Sequence, residues 1–225
     1  VQTCALPILM IIAIDGPSAS GKSTTARCIA EILGFIHLDT GAMYRAVTLG
    51  LKNAGIATDD EKNVRLIIDK MEIQFDASNK ILLNHVDVSS EIRTADISSR
   101  VSAVSALPFV REKLVKTQRL IAGENSCVLE GRDIGTVVFP NAEFKFFLIA
   151  DIDVRARRRL IELEKMGESK TISDLIKDIV KRDELDSSRI LSPLIQAKDA
   201  ILIDTSNLTI KEQINKIINL INHNK

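Results

Sequence analysis

Residues 10–25 read Met10-Ile11-Ile12-Ala13-Ile14-Asp15-Gly16-Pro17-Ser18-Ala19-Ser20-Gly21-Lys22-Ser23-Thr24-Thr25. The β-branched run at the start suits a buried parallel strand. It gives way at once to small and polar residues that add nothing to a core. Gly16 to Ser23 fits G-x-x-x-x-G-K-[ST] in full. Small residues let the backbone curl so that successive N–H groups point inward at phosphate oxygens. The helix expected next adds its unpaired N–H groups and the positive end of its dipole. On this reading Gly16, Pro17, Ser18, Ala19, Ser20, Gly21, Lys22, Ser23 and Thr24 cradle a nucleoside triphosphate. Lys22 reaches the outer phosphates and the Ser23 hydroxyl ligates Mg²⁺. An ordinary glycine-rich turn is the competing reading, and the flanking patterns disfavour it.

Outward from this loop, strand and helix patterns alternate. Ala26, Ile29, Ala30 and Leu33 recur at helical spacing, and Gly34 stops that helix. A strand is expected over Phe35–Leu38, helices over Thr40–Lys52 and from Asp59/Asp60 to Lys70. The stretch MEIQFDASNKILLNHVDVSS then alternates around Ser78-Asn79, which predicts a small antiparallel hairpin. Helices are expected over Ser90–Val104 and Pro108–Ala122, with Pro108 in a first turn. Strands follow at Cys127–Glu130, Phe144–Ile149 and Ala200–Ile203, and helices at Asp153–Met166, Ser173–Leu185 and Thr209–Asn222. This order implies an α/β fold with a parallel sheet covered on both faces and a small antiparallel insertion near 63–95.

Composition narrows the partners. The 225 residues are 45% hydrophobic, enough for a substantial core, and Lys+Arg and Asp+Glu balance at 30 each. Net charge therefore gives no case for nucleic acid or membrane. Aromatics make up 4% and Trp is absent, so no base-stacking platform is expected. Cys4, Cys28 and Cys127 form no C-x-x-C pair and read as reduced thiols in a cytoplasmic protein. No apolar run reaches membrane-spanning length. The first residues, VQTCALPI, lack the positive start of a signal peptide and resemble a translated sequencing adapter. Residues 1–9 are accordingly expected to be non-native, with synthesis starting at Met10. That leaves 10–225 as one P-loop domain, and a monomer is expected.

A triphosphate site leaves the reaction open. A GTPase switch needs N-K-x-D or T-K-x-D to read guanine, and neither is present. A motor-type ATPase uses a longer chain. A small-substrate kinase needs a second anion site facing the first, and arginines are the tools for spreading phosphoryl charge. Arg45 in LDTGAMYRAV and Arg132 in LEGRDIGTVVF stand beside strand ends, where open α/β sheets bind ligands. Arg155 and Arg159 in DVRARRRL share a helix face and are candidate lid arginines; a solvated basic face is the alternative. Asp15 and Glu130 each end a strand. Either can hold a metal-bound water or simply pair with backbone N–H groups. His37 and His85 read as structural or surface residues.

GPSASGKST, LDTGAMYRA, EIRT followed by PFVR, LEGRDIGTVVFP and KRDELDSSR, in this order, resemble the bacterial cytidylate kinases from Met10 to the last helix. The resemblance implies transfer of the ATP γ-phosphate to CMP or dCMP with Mg²⁺. It implies a nucleoside-monophosphate kinase core with a monophosphate-binding insertion and a short helical lid near 155–170. It places Thr40 and Arg45 on the CMP phosphate, joined by Arg132. Asp133, Ser102 and Arg111 face the cytosine edge, where a carboxylate accepts from the exocyclic amine. Arg182 and Asp186 hold the ribose hydroxyls, and Arg189 approaches the phosphates. Lys22, Arg132, Arg155 and Arg159 form the expected catalytic set. Ala19 stands where the family often has Gly, and Thr40 where Ser is common. The alternatives are another small kinase of this architecture and an inactive nucleotide-binding module.

Overall fold

The computed structural model describes residues 9–76, 78–123 and 125–223. Of the residues 1–9 expected to be non-native, 1–8 lie outside the described residues. Five parallel strands build the main sheet: β1 (Ile11–Asp15), β2 (Ile36–Asp39), β6 (Cys127–Gly131), β7 (Phe144–Ile149) and β8 (Ile201–Asp204), in the order β2-β6-β1-β7-β8. Side chains alternate between its faces, as a pleated strand requires. Ile12, Ile14, Val128, Phe146, Leu148 and Ile203 point to one face, where α1 (Lys22–Leu33) and α8 (Ile210–His223) cover them. Ala13, Leu38, Cys127 and Leu129 point to the other, beneath α2 (Thr40–Asn53), α4 (Ala95–Ser105) and α5 (Pro108–Ala122). Each fully buried aliphatic side chain contributes about 1.5–3 kcal/mol. This is the doubly covered parallel sheet that the alternating pattern implies.

The register brings the functional strand ends level. Ile14 lies opposite Glu130, Asp15 opposite Gly131, and Asp39 opposite Glu130. Three strands thus stop together at one rim, and the N-termini of α1 and α2 start there. Gly34 ends α1 with a left-handed φ of 68°, which costs an L-residue but not glycine.

Between α3 (Glu61–Lys70) and α4 lies the small sheet. It has three antiparallel strands rather than the two of a hairpin: β3 (Ile73–Phe75), β4 (Ile81–Leu83) and β5 (Val86–Asp87). The second turn is Asn84-His85, both with positive φ (50° and 67°), the geometry of a tight type I′ turn. The helix expected over Ser90–Val104 is also divided. A 3₁₀ turn at Glu91–Arg93 ends at extended Thr94, whose Oγ accepts from the Ile97 N–H at 3.5 Å and caps α4. On the far side, α6 (Ile152–Lys165) and α7 (Ile172–Ser187) form a helical pair with its own core of Ala156, Leu163, Leu175 and Ile179. No helix among the described residues is long and apolar enough to cross a membrane.

Asp15 has a structural role. Its Oδ1 accepts from the Ile134 N–H and its Oδ2 from the Gly135 N–H, both at 2.8 Å. These bonds hold the wide π-type turn Ile134–Val138, which the sequence does not announce, against the end of β1. Burial pushes its carboxyl up to about 6, against the pull of those two N–H groups. The folded state therefore holds this proton more tightly than the unfolded chain between about pH 4 and 6, and stability falls as pH rises through that window. Urea unfolding of wild type and Asp15→Asn at pH 4 and pH 7 tests this. The wild-type advantage is expected to shrink by roughly 1–3 kcal/mol over that interval.

Candidate active site

The loop after β1 needs three unusual backbone angles: Gly16 at φ 147°, Ala19 at 58° and Gly21 at 91°. At Gly16 the constraint is also steric, because a Cβ would lie 2.1 Å from the Leu148 carbonyl oxygen. Behind the loop, the Thr205 hydroxyl donates to the Ser20 carbonyl at 3.0 Å. Lys22 curls over it and donates to the Pro17 carbonyl at 2.6 Å. Burial and the nearby Arg132 guanidinium push the Lys22 ammonium down to about 7. Ser23, on the first turn of α1, donates its hydroxyl to Glu130 Oε2 at 2.5 Å.

A cleft of about 430 Å³ opens in front of the loop, lined by Ser18, Ala19, Gly21, Lys22, Ser23 and Thr24. Arg45, Arg132, Arg159 and Arg182 line it too. Gly16, Pro17 and Ser20, also expected in the cradle, are not among the residues that line it. A smaller cavity adjoins it and shares Arg45, Arg132 and Arg182. Thr40, Arg45, Ser102, Arg111, Arg132, Asp133, Arg182, Asp186 and Arg189 all line that second space. Residues far apart in the chain are thus brought to one place by α2, the end of β6, α4, α5 and α7.

Each wall is held by charge pairing. Thr40 donates to the Glu130 carbonyl at 2.7 Å and starts α2. Asp39 caps that helix through the Ala42 N–H at 2.8 Å and pairs with Arg45 at 3.3 Å. Arg132 Nε donates to Asp186 Oδ2 at 2.8 Å, and Arg189 approaches Asp186 Oδ1 at 3.6 Å. Burial opposes ionisation of Asp186, but Arg132 and Arg189 hold its carboxyl below the usual range. Deeper in, Arg111 forms a close ion pair with Asp133 and donates to the Ser105 carbonyl at 3.1 Å. Its guanidinium lies 5.4 Å from the Tyr44 ring centroid.

The buried Nε atoms of Arg45, Arg111 and Arg182 all lack a hydrogen-bond partner among the described residues, and Arg182 has no side-chain ion pair among them either. Burial, then Arg132, push its guanidinium down to about 9. Arg45 is lowered mainly by burial. Desolvated guanidinium groups facing a shared space are what an anionic ligand would satisfy. Arg155 is placed differently from Arg159. It donates to Asp183 Oδ2 at 2.5 Å and to the Ser18 carbonyl at 3.4 Å, and does not line the cleft. Arg159 lines the cleft and pairs with Glu162 at 3.0 Å. Arg93, Asp39, Tyr44 and Ser105 line these spaces without having been singled out from the sequence. Arg93 lies inside EIRT and Tyr44 beside Arg45, so the motifs contained them without marking them.

A P-loop parallel sheet with a second cationic cavity across its cleft defines a small-molecule phosphotransferase of the kinase class. The family model for cytidylate kinase matches residues 12–223. The cytidylate kinase of Lactobacillus gasseri is 48% identical over 96% of this chain and 95% of its own length. That of Caldanaerobacter subterraneus is 48% identical over 95% of each. The chain belongs to the cytidylate kinase family. A solved structure of an uncharacterized protein from Eubacterium ventriosum shares the fold, with a TM-score of 0.53, 14% identity, and coverage of 95% of this chain and 98% of that one.

Ala19 in the loop takes a left-handed φ of 58°. Such an angle costs an L-residue about 1 kcal/mol. Ala19→Gly is therefore expected to raise the free energy of unfolding by up to about 1 kcal/mol in urea titrations, less the greater freedom glycine gives the unfolded chain.

Proposed function

We propose that this protein transfers the γ-phosphate of ATP to CMP or dCMP, giving ADP and the nucleoside diphosphate. The observation carrying this reading is that Lys22 and the trio Arg45, Arg132 and Arg182 line one cleft, which continues into the smaller cavity. One anion is gripped by backbone N–H groups and Lys22 on the loop. The other faces it across shared guanidinium groups.

The acceptor end follows from the charge pairs. Arg45, Arg132 and Thr40 take the monophosphate. Asp133, ion-paired with Arg111, and Ser102 face the base. A carboxylate there accepts from the amine of cytosine, whereas uracil presents a carbonyl that it repels. Asp186 and Arg182 take the sugar hydroxyls, and Arg189 stands beside Asp186 toward the phosphates.

Mg²⁺ suits the donor set at the loop. Ser23 and Glu130 offer hard oxygens 2.5 Å apart, and the described residues contain no cluster of three His, Cys, Asp or Glu side chains. A cation held by few protein oxygens and completed by phosphates and water is the usual magnesium arrangement. When bound it supplies charge to the phosphates and orients them. The protein's own part is positioning and charge. Lys22 leaves the Pro17 carbonyl for the phosphates, and Arg132 and Arg182 meet the charge that spreads over the transferring group. Arg159 sits on α6 beside the cleft, where closure of α6 and α7 brings it inward and excludes water. Arg155, paired with Asp183, steadies the loop from behind through the Ser18 carbonyl. No general base is needed for a loose transfer.

Purified protein with ATP, Mg²⁺ and a panel of nucleoside monophosphates, read by ADP release, tests the assignment. CMP or dCMP is expected to dominate, and equal turnover of AMP or UMP would overturn it. Lys22→Ala and Arg132→Ala are expected to lower kcat by about 10²–10³, Lys22→Ala with an unfolding midpoint close to wild type and Arg132→Ala with a lower one, since it strands buried Asp186. Asp133→Ala is expected to reduce the ratio of kcat/KM for CMP over UMP by at least about tenfold.

A further inference from the structure

We propose that His37 is a positioning residue for the metal-binding end of the phosphate loop, acting through Glu130 and held in register by Asn79 of the small sheet. His37 lies on β2, one strand-width from Glu130. Its Nε2 is 3.1 Å from Glu130 Oε1, and its Nδ1 is 2.9 Å from Asn79 Nδ2. The other carboxylate oxygen, Oε2, takes the Ser23 hydroxyl. Four side chains thus connect the turn between β3 and β4 to the first turn of α1.

The direction of this chain follows from donor chemistry. An amide nitrogen only donates, so Nδ1 accepts and the ring proton lies on Nε2. That proton is directed at Glu130 Oε1. With Oε1 fixed, Oε2 is fixed too, and the serine proton is drawn toward it. The Ser23 lone pairs then turn to the open cleft, where a cation would meet them. Glu130 is 3% exposed, so water competes little for its oxygens. A cation with few protein ligands depends strongly on how each is oriented, and the groups behind the ligands supply that orientation. Asn79 reaches His37 from a left-handed position (φ 60°), so the seat of the imidazole belongs partly to the insertion.

This inference rests on the loop being a metal–nucleotide site, and binding separates the two ideas. ADP is titrated calorimetrically into wild type, His37→Phe and His37→Gln, once with EDTA and once with Mg²⁺. The affinity gained on adding Mg²⁺ is expected to fall about tenfold in His37→Phe, while metal-free ADP affinity stays within about twofold of wild type. His37→Gln places an amide N–H near the Nε2 position and is expected to restore most of the gain. A full gain in His37→Phe, equal weakening with and without metal, or no advantage of His37→Gln would overturn the proposal. If His37→Phe does not fold, Asn79→Gly carries the test, since glycine accepts the left-handed angle. The gain is then expected to fall roughly twofold to tenfold, the worth of one neutral hydrogen bond; an unchanged gain overturns the proposal. Absence of ADP binding to wild type in both conditions would overturn the nucleotide reading itself.

Discussion

Burial of positive charge beside a narrow cleft is the constraint on which the rest of this structure depends. Lys22, Arg45, Arg132 and Arg182 all line it. Taking such groups out of water costs several kcal/mol each unless something opposite in charge stands near. Asp39, Glu130 and Asp186 provide part of the compensation, and the low pKa values of Lys22 and Arg182 mark where it falls short. What is left unbalanced is a standing demand for anions. The sheet, its two helical layers and the α6–α7 pair hold these groups together against their mutual repulsion.

Strand order explains how one rim supplies so much chemistry. β1 and β6 are neighbours, and β6 also pairs with β2. Their aligned ends place the loop, Glu130, Arg132 and Asp39 side by side although they lie far apart in the chain. The α6–α7 pair, through Arg159, Glu162 and Arg182, then closes one side of the same space. Asp186 shows the economy of the arrangement: one carboxylate on α7 serves Arg132 from the end of β6 and Arg189 from its own following turn.

Much of this was legible in the sequence, for identifiable reasons. The main strands and the loop carry short-range signals: β-branched runs, a glycine-lysine spacing, an apolar helical stripe. The third strand of the small sheet was hidden because Asn84-His85 lacks the glycine that usually marks a type I′ turn. The break at Thr94 was hidden because a threonine cap resembles any polar helix residue. The π-type turn at Ile134–Val138 depends on Asp15, more than a hundred residues earlier, and no local pattern reveals it. At the site, the motifs picked out residues that the fold brings into adjoining cavities. They could not separate Arg155 from Arg159, since a shared helix face says nothing of Asp183 waiting on α7. Nor could they mark His37, whose partners come from β6 and from the turn after β3.

The position of β1 has one more consequence. It is the middle strand of five, covered on both faces, whereas β2 is an edge. Thermal opening begins at margins and reaches the middle last. The triphosphate grip therefore hangs from the part of the molecule that fluctuates least, while Asp39 and His37 ride on a border that breathes more often. The two halves of the cleft, one steady and one supple, are thus assigned by strand order before any substrate arrives.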